Sequence, residues 1–374
     1  MADALVEVGE RGMWCERGGF HVDPWVPVER AVITHAHADH AVAGCGAYVC
    51  AEEGAGVLAR RVQAGAKIET RAYGQAWDEG AARVSLHPAG HLLGSAQVRV
   101  EASGSAPGGG GVTVVSGDYK VEPDATCAAF EVVACDTFIT ESTFGLPIYR
   151  WPDAKAVFAE MVAWWAENAA AGRTTVVYAY ALGKAQRLLA GLAAGVERGL
   201  GPILEHGAMR GLTQAYREAG VALPETGHAT AEAVRAAKKE GRGLLVIAPP
   251  SANGTAWVKK LRPMSSALAS GWMAVRGRRR FRAVDRGFVV SDHADWPGLL
   301  ATIEATGASR VGVTHGYREE LVRYLNERGG VEGYVVPARY EGELGEENAE
   351  KQKIEKSENL ELTVGEGGVE GGEG

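Results

Sequence analysis

The sequence predicts an α/β protein of two lobes, the second inserted into the first. Three observations lead there. Short apolar runs separated by turn residues fill about the first 140 positions, as half-buried strands do. From Trp151 to about Ala248, long helix-period segments alternate with strand runs, the pattern of a parallel sheet under helical cover. Strand character then returns near positions 287 and 310, each time just ahead of a histidine, so the chain is expected to rejoin the first lobe.

Taken in order, strands are expected at 31–34, 83–86, 97–100, 112–115 and 137–140. The run Gly108-Gly109-Gly110-Gly111 reads as a flexible connection between two of them. A long helix follows at 154–171, a strand at 174–180 and a helix at 185–198. Gly183-Lys184 follows that strand and opens that helix, a place where backbone amides and a lysine suit a phosphate. The return strands lie at 287–291 and 310–314. The cleft between the lobes is the natural place for a substrate. Beyond about Gly342 the Glu- and Gly-rich sequence cannot bury apolar area and is expected to be a disordered acidic tail.

Composition narrows the class. A chain of 374 residues supports two cores. No run of 18 apolar residues is present, which excludes a spanning helix and a membrane partner. The start lacks the basic and apolar regions of a signal peptide. Five cysteines without a Cys-x-x-Cys pair read as reduced thiols of a cytoplasmic protein. The formal net charge is −8, but from Glu341 onward there are eleven Glu against three Lys, so the body is neutral. Within it, Arg276, Arg278, Arg279, Arg280 and Arg282 fall in seven positions, shortly after Lys259-Lys260-Leu261-Arg262. Such clusters favour a polyanion, and Arg278, Arg279 and Arg280 are expected to contact a nucleic-acid backbone.

The chemistry concentrates in His35-Ala36-His37-Ala38-Asp39-His40, which follows the first strand. Four metal-binding side chains in six positions at a strand end exceed what one tetrahedral ion takes once other ligands join them, and suit two adjacent divalent cations. Further donors stand at other turns and strand ends beside glycine: His91 after Gly90, Asp118 after Gly117 and His315 before Gly316.

The order His-x-His-x-Asp-His, then His91, Asp118 and His315, resembles the metallo-β-lactamase fold. Three segments resemble its β-CASP nuclease branch: Thr140-Glu141-Ser142-Thr143 (motif A), Ser291-Asp292-His293-Ala294-Asp295 (motif B) and Val313-Thr314-His315-Gly316 (motif C). Trp14-Cys15 before His21-Val22-Asp23-Pro24, Tyr180 through Arg187, and Pro249-Pro250-Ser251-Ala252 resemble the bacterial ligase-associated DNA exonuclease group, related to mRNA 3′-end processing factors.

The resemblance implies an αββα metallo-β-lactamase sandwich with an inserted β-CASP α/β domain. The metallo-β-lactamase domain would occupy 1–150 and 276–341, the insert 151–275 and the tail 342–374. It implies two divalent metal ions, zinc with manganese as the alternative. His35, His37, His91 and Asp118 would hold one; Asp39, His40, Asp118 and His315 the other. Asp39, Glu141 and His293 are the implied catalytic residues, with His293 the general acid and Glu141 its orienting partner. Asp23 would fix ligand geometry from behind. The expected activity is metal-dependent phosphodiester hydrolysis, as a DNA exonuclease working in end repair with a ligase and a helicase. An RNA 3′-end processing ribonuclease is the alternative, because β-CASP members with histidine in motif C typically act on RNA. A thioester or lactam hydrolase fits the large insert and the Glu141/His293 pair poorly. A catalytically silent nucleic-acid-binding subunit would have lost ligands that this chain keeps.

Overall fold

In this computed structural model, residues 5–103, 111–275 and 283–339 are described. Among them the strands form three sheets. The first contains β1 (Glu7–Gly9), β2 (Gly12–Cys15), β3 (Phe20–Val22), β4 (Arg30–Val32), β5 (Ala47–Ala51) and β6 (Ile68–Arg71), side by side in chain order. The second contains β7 (Trp77–Glu79), β8 (Ala82–Pro88), β9 (Ala96–Ala102), β10 (Val112–Val115) and β11 (Thr137–Glu141). The third takes the middle of the chain: β12 (Thr174–Tyr178), β13 (Ile203–Glu205), β14 (Thr226–His228), β15 (Leu245–Ala248), β16 (Met264–Ala269) and β17 (Arg286–Phe288). Two late strands, β18 (Arg310–Thr314) and β19 (Glu332–Val335), then join the second sheet beside β11.

The period-two pattern of the strands explains the layering. Val115 and Ile139 turn inward and meet Val32, Val49, Val84 and Val98 between the first two sheets. Their chain neighbours Val114 and Phe138 turn outward, under Leu299 and Ile303 of α6 (Trp296–Thr306) and Leu321 and Leu325 of α7 (Arg318–Arg328). The outer face of the first sheet presents Ala31, Tyr48 and Cys50 to Val57 and Leu58 of α1 (Ala55–Arg61). The order of layers is helix, sheet, sheet, helix.

The third sheet is parallel throughout. One face lies under α2 (Ala154–Ala170) and α3 (Lys184–Glu197), with Trp165, Leu188 and Leu192 packed on Val177 and Ile247. The other face, with Val176 and Val246, meets Val234 and Ala237 of α5 (Ala231–Lys239). Asp153 caps α2 by accepting from the Ala156 amide at 2.8 Å. α4 (Gly207–Glu218) reaches the first lobe, where the Tyr216 hydroxyl accepts from the Leu93 amide at 3.1 Å.

β11 and β18 are neighbours in the second sheet with the strands of the third between them in the chain, and the mixed α/β class follows the sequence reading. The return point does not. The stretch 287–291 was expected to lie in the first lobe, yet Arg286–Phe288 pairs with β16 in the third sheet, so the insert extends past 275 to Phe288. An apolar run identifies a buried strand but not the sheet that buries it. The glycines at 108–110, the arginines at 278–280 and the tail at 342–374 lie outside the described residues.

Gly94 fixes how the loop between β8 and β9 meets the turn ahead of α1. It has φ +74°, and a Cβ there would come within 2.1 Å of the Gly54 backbone. Gly65 has φ +76° with nothing within 4 Å. Gly94→Ala should therefore destabilise by more than Gly65→Ala, which carries only the conformational strain of about 1–3 kcal/mol. Urea unfolding of the two variants measures the difference; equal midpoints would show that the loop relaxes freely.

Candidate metal centre

Strand ends converge on one place. His35, His37, Asp39 and His40 follow β4, His91 lies between β8 and β9, and Asp118 follows β10. Glu141 ends β11, His315 follows β18, and His293 lies on the return from the insert. His35, His37, His40, His91, Asp118, Glu141 and His293 are all buried. Facing donor atoms fall into three groups, each within 4.8 Å: His35, His37, His91 and Asp118; Asp39, His40 and His315; Asp118, Glu141 and His293. The Asp118 Oδ2 stands between the first two, 3.5 Å from His35 Nε2 and 3.7 Å from His40 Nε2.

The hydrogen bonds on the far side of each ring decide what the near side presents. The Leu182 carbonyl can only accept, so His37 donates to it through Nε2–H at 3.3 Å. His91 likewise donates through Nδ1–H to the Asp292 carbonyl at 2.8 Å. The Thr34 hydroxyl gives its one proton to Asp23 Oδ2 at 2.6 Å, which leaves its oxygen to accept from His35 Nδ1–H at 3.0 Å. Burial, reinforced by neighbouring imidazoles, holds His35 and His91 well below their ordinary pKa. Burial brings His37 down to about 4. The three rings are therefore neutral at pH 7, each with its inward nitrogen unprotonated. His37 Nδ1 lies 3.1 Å from His35 Nε2 and 3.2 Å from His91 Nε2. The inward nitrogens of the three rings thus lie close together, with the Asp118 carboxyl beside them. Imidazoles and a carboxylate so placed could hold a metal ion.

The second group differs in charge. Burial opposes a charge on His40, but the carboxylates of Asp39, Asp118 and Asp23 outweigh it and raise its pKa well above the ordinary value. His40 Nδ1 donates to Asp23 Oδ2 at 2.7 Å. Its Nε2 and the Asp39 Oδ1 are buried without a hydrogen-bond partner among the described residues. Burial, followed by repulsion from His40, lowers His315 to about 4. Burial raises Asp118 to about 7 against the pull of His40. A proton on His40 occupies the place that a second cation would take.

Backbone strain holds these groups. Asp23 and His315 stand at φ +46° and +55°, where side chains other than glycine are uncommon. Asp23 is pinned by the Thr34 amide at 2.8 Å as well as by the Thr34 hydroxyl and His40. The His315 carbonyl accepts from the Ser142 hydroxyl. Gly316 is required beside it, since a Cβ would lie 2.2 Å from the Ser142 carbonyl.

Beside the donors, His293 Nδ1 lies 2.8 and 2.9 Å from the two Glu141 oxygens. Burial opposes ionisation of Glu141, but His293 outweighs it and the carboxyl pKa is lowered. The Tyr119 amide donates to Glu141 at 2.9 Å and the Trp151 indole donates to the His293 carbonyl at 2.8 Å. His293 thus keeps Nδ1–H on Glu141, with Nε2 as its other exchangeable position.

Gly183-Lys184 takes another setting than a phosphate cradle. The Gly183 amide already donates to Gln186 Oε1 at 2.8 Å. Lys184 is fully buried, its ammonium 3.6 Å from Asp292 and 4.7 Å from the centre of the Tyr180 ring. Sequence reasoning gave no role to Thr34, the Leu182 carbonyl, Asp292 or Arg187, which orient the rings or their loops. Asp292 and Arg187 stand inside segments that carried the family resemblance, and that membership was the available signal.

No protein-family model matches the chain. A protein of Opitutus terrae named "Probable DNA ligase" is 30% identical over 335 residues, 89% of this chain. The chain spans 31% of that protein's length. A crystal structure of a protein of unknown function from Enterococcus faecalis V583 superposes with a TM-score of 0.54 at 10% identity, covering 83% of this chain and 79% of that one. That likeness concerns the fold alone.

Asp118→Ala removes a carboxylate that belongs to the first group and lies 3.7 Å from His40 of the second. Purified with zinc, the variant should retain well under half of the wild-type metal by elemental analysis. Undiminished metal content would show that Asp118 serves neither group.

Proposed function

We propose that this chain is a metallo-β-lactamase-fold nuclease of the β-CASP type that hydrolyses phosphodiester bonds in DNA. The observation that carries the reading is the set of inward lone pairs of His35, His37 and His91 facing Asp118, with the Glu141–His293 pair alongside. The four-layer core interrupted by a parallel α/β insert adds support. His35, His37, His91 and Asp118 would hold one divalent cation, and Asp39, His40, His315 and the shared Asp118 a second. Bound there, such cations supply Lewis acidity that activates a water and neutralises developing phosphoryl charge.

The side chains supply the rest. Glu141 fixes the His293 tautomer by holding Nδ1–H, so the proton available for transfer is the one on Nε2. Delivered to the departing oxygen, it prevents a strongly basic alkoxide from leaving unprotonated. Asp23 and Thr34 keep His40 and His35 turned inward without touching the reaction.

DNA is preferred because the Opitutus terrae relative carries a DNA ligase name. Ligation itself is not carried over, since the chain matches under a third of that protein. Imidazoles and carboxylates suit hydrolysis of strand ends before joining. His315 favours RNA as the second reading, through the resemblance of motif C to RNA-processing members of the family.

His293→Ala should keep its metal yet cleave about 10² to 10⁴ times more slowly, the range for loss of a general acid. A more acidic leaving group should recover part of the rate. Loss of metal instead would make His293 a ligand and remove the proposed proton donor. Matched DNA and RNA single strands, hydrolysed under one metal and salt condition, test the substrate. Faster RNA turnover by about an order of magnitude would move the assignment to RNA and leave the metal chemistry standing.

A further inference from the structure

Arg187 lies in the first turn of α3, within the insert, and is buried. Its guanidinium touches three separate segments of the first lobe and the return. Nη2 donates to the His91 carbonyl at 3.3 Å. Nη1 donates to the Ser291 carbonyl and lies 3.5 Å from Asp292 Oδ1. Nε pairs with the Asp124 carboxylate. The Asp292 carboxylate also faces Lys184 at 3.6 Å, while its carbonyl receives His91 Nδ1–H at 2.8 Å. The loop carrying His91 and the segment carrying His293 are thus tied to one planar group.

We propose that Arg187 is a positioning residue through which the insert sets the aim of both His91 and His293. This rests on the reading of His91 as a metal ligand and His293 as the proton donor. The guanidinium presents its donors in a rigid plane, so contacts to the two carbonyls fix the relative placement of their loops. Lysine has the charge but not the fork and cannot hold both at once. Asp124 and Asp292 balance the buried charge, as a guanidinium removed from water requires. The arrangement makes the insert part of the reaction's geometry rather than only a wall of the substrate cleft. An insert displaced from the first lobe would loosen a metal ligand and the acid together.

The full chain carrying Arg187→Met with Asp124→Asn keeps the local charge balance, and Arg187→Lys keeps the charge alone. Zinc affinity is read by competition with a chelator, and kcat and KM with bis(4-nitrophenyl) phosphate, which is too small to need the insert for binding. Both variants should bind one zinc ion about 10–100-fold more weakly, the range for losing a group that orients a ligand. The kcat should fall with KM little changed. A cavity of about 800 Å³ bordered by Asp124, Arg187 and Ser291 gives added guanidinium ion access to the vacated place. Partial recovery of zinc affinity by guanidinium in Arg187→Met would therefore support the proposal. Wild-type zinc affinity and kcat in the double variant, with only a lower Tm, would overturn it. A wild-type chain that binds no zinc would instead sink the functional reading, and this inference with it.

Discussion

The arrangement depends on one electrostatic constraint: three neutral imidazoles are forced to aim lone pairs at one another and at a carboxylate. The forcing groups are ordinary. Two are backbone carbonyls, Leu182 and Asp292, and one is the Thr34 hydroxyl already committed to Asp23. Each fixes a tautomer by being able only to accept at that atom. Buried acceptors facing acceptors are costly, and a cation held among these groups would relieve that cost.

The rest of the architecture places those forcing groups. Leu182 belongs to the segment after β12, and Asp292 to the return from β17, so two of the three tautomers are set by residues at or beyond the insert. The first lobe supplies every donor of the first group but fixes only His35 by itself. The parallel sheet of the insert delivers its strand end at this spot because β12 lies in its interior, flanked by β15 and β16. Asp23 extends the same logic to the second group: held in a left-handed conformation, it accepts from both Thr34 and His40. It couples His35 to His40 through a single carboxylate.

Much of this was legible in the chain, for reasons that differ by residue. His35, His37, Asp39 and His40 declare themselves by density, and His91, Asp118 and His315 by standing beside glycine at turns and strand ends. Glu141 and His293 were reached through resemblance, because a carboxylate and an imidazole separated by 151 intervening positions carry no local signal. The carbonyls of Leu182 and Asp292 were invisible, since any residue supplies a carbonyl and only tertiary structure aims it. Lys184 misled: a lysine at a helix start is ordinarily solvated, yet Asp292 and Tyr180 enclose this one. Strands as short as β1 and β3 show too few alternations to be read. The assignment of β17 to the insert needed its hydrogen-bond partner β16.

In the absence of metal the first group presents the lone pairs of three neutral imidazoles, while the second is held by the proton of His40. Calorimetric titration of the metal-free chain with zinc near pH 6.5, in buffers of different ionisation enthalpy, tests it most directly. About two ions per chain should bind saturably, in two phases. The first phase should release no more than the proton that Asp118, raised to about 7, still carries at that pH, because His35, His37 and His91 are already neutral. The second should release the proton of His40, whose pKa the surrounding carboxylates raise. Absence of saturable binding, or proton release confined to the first phase, would contradict it.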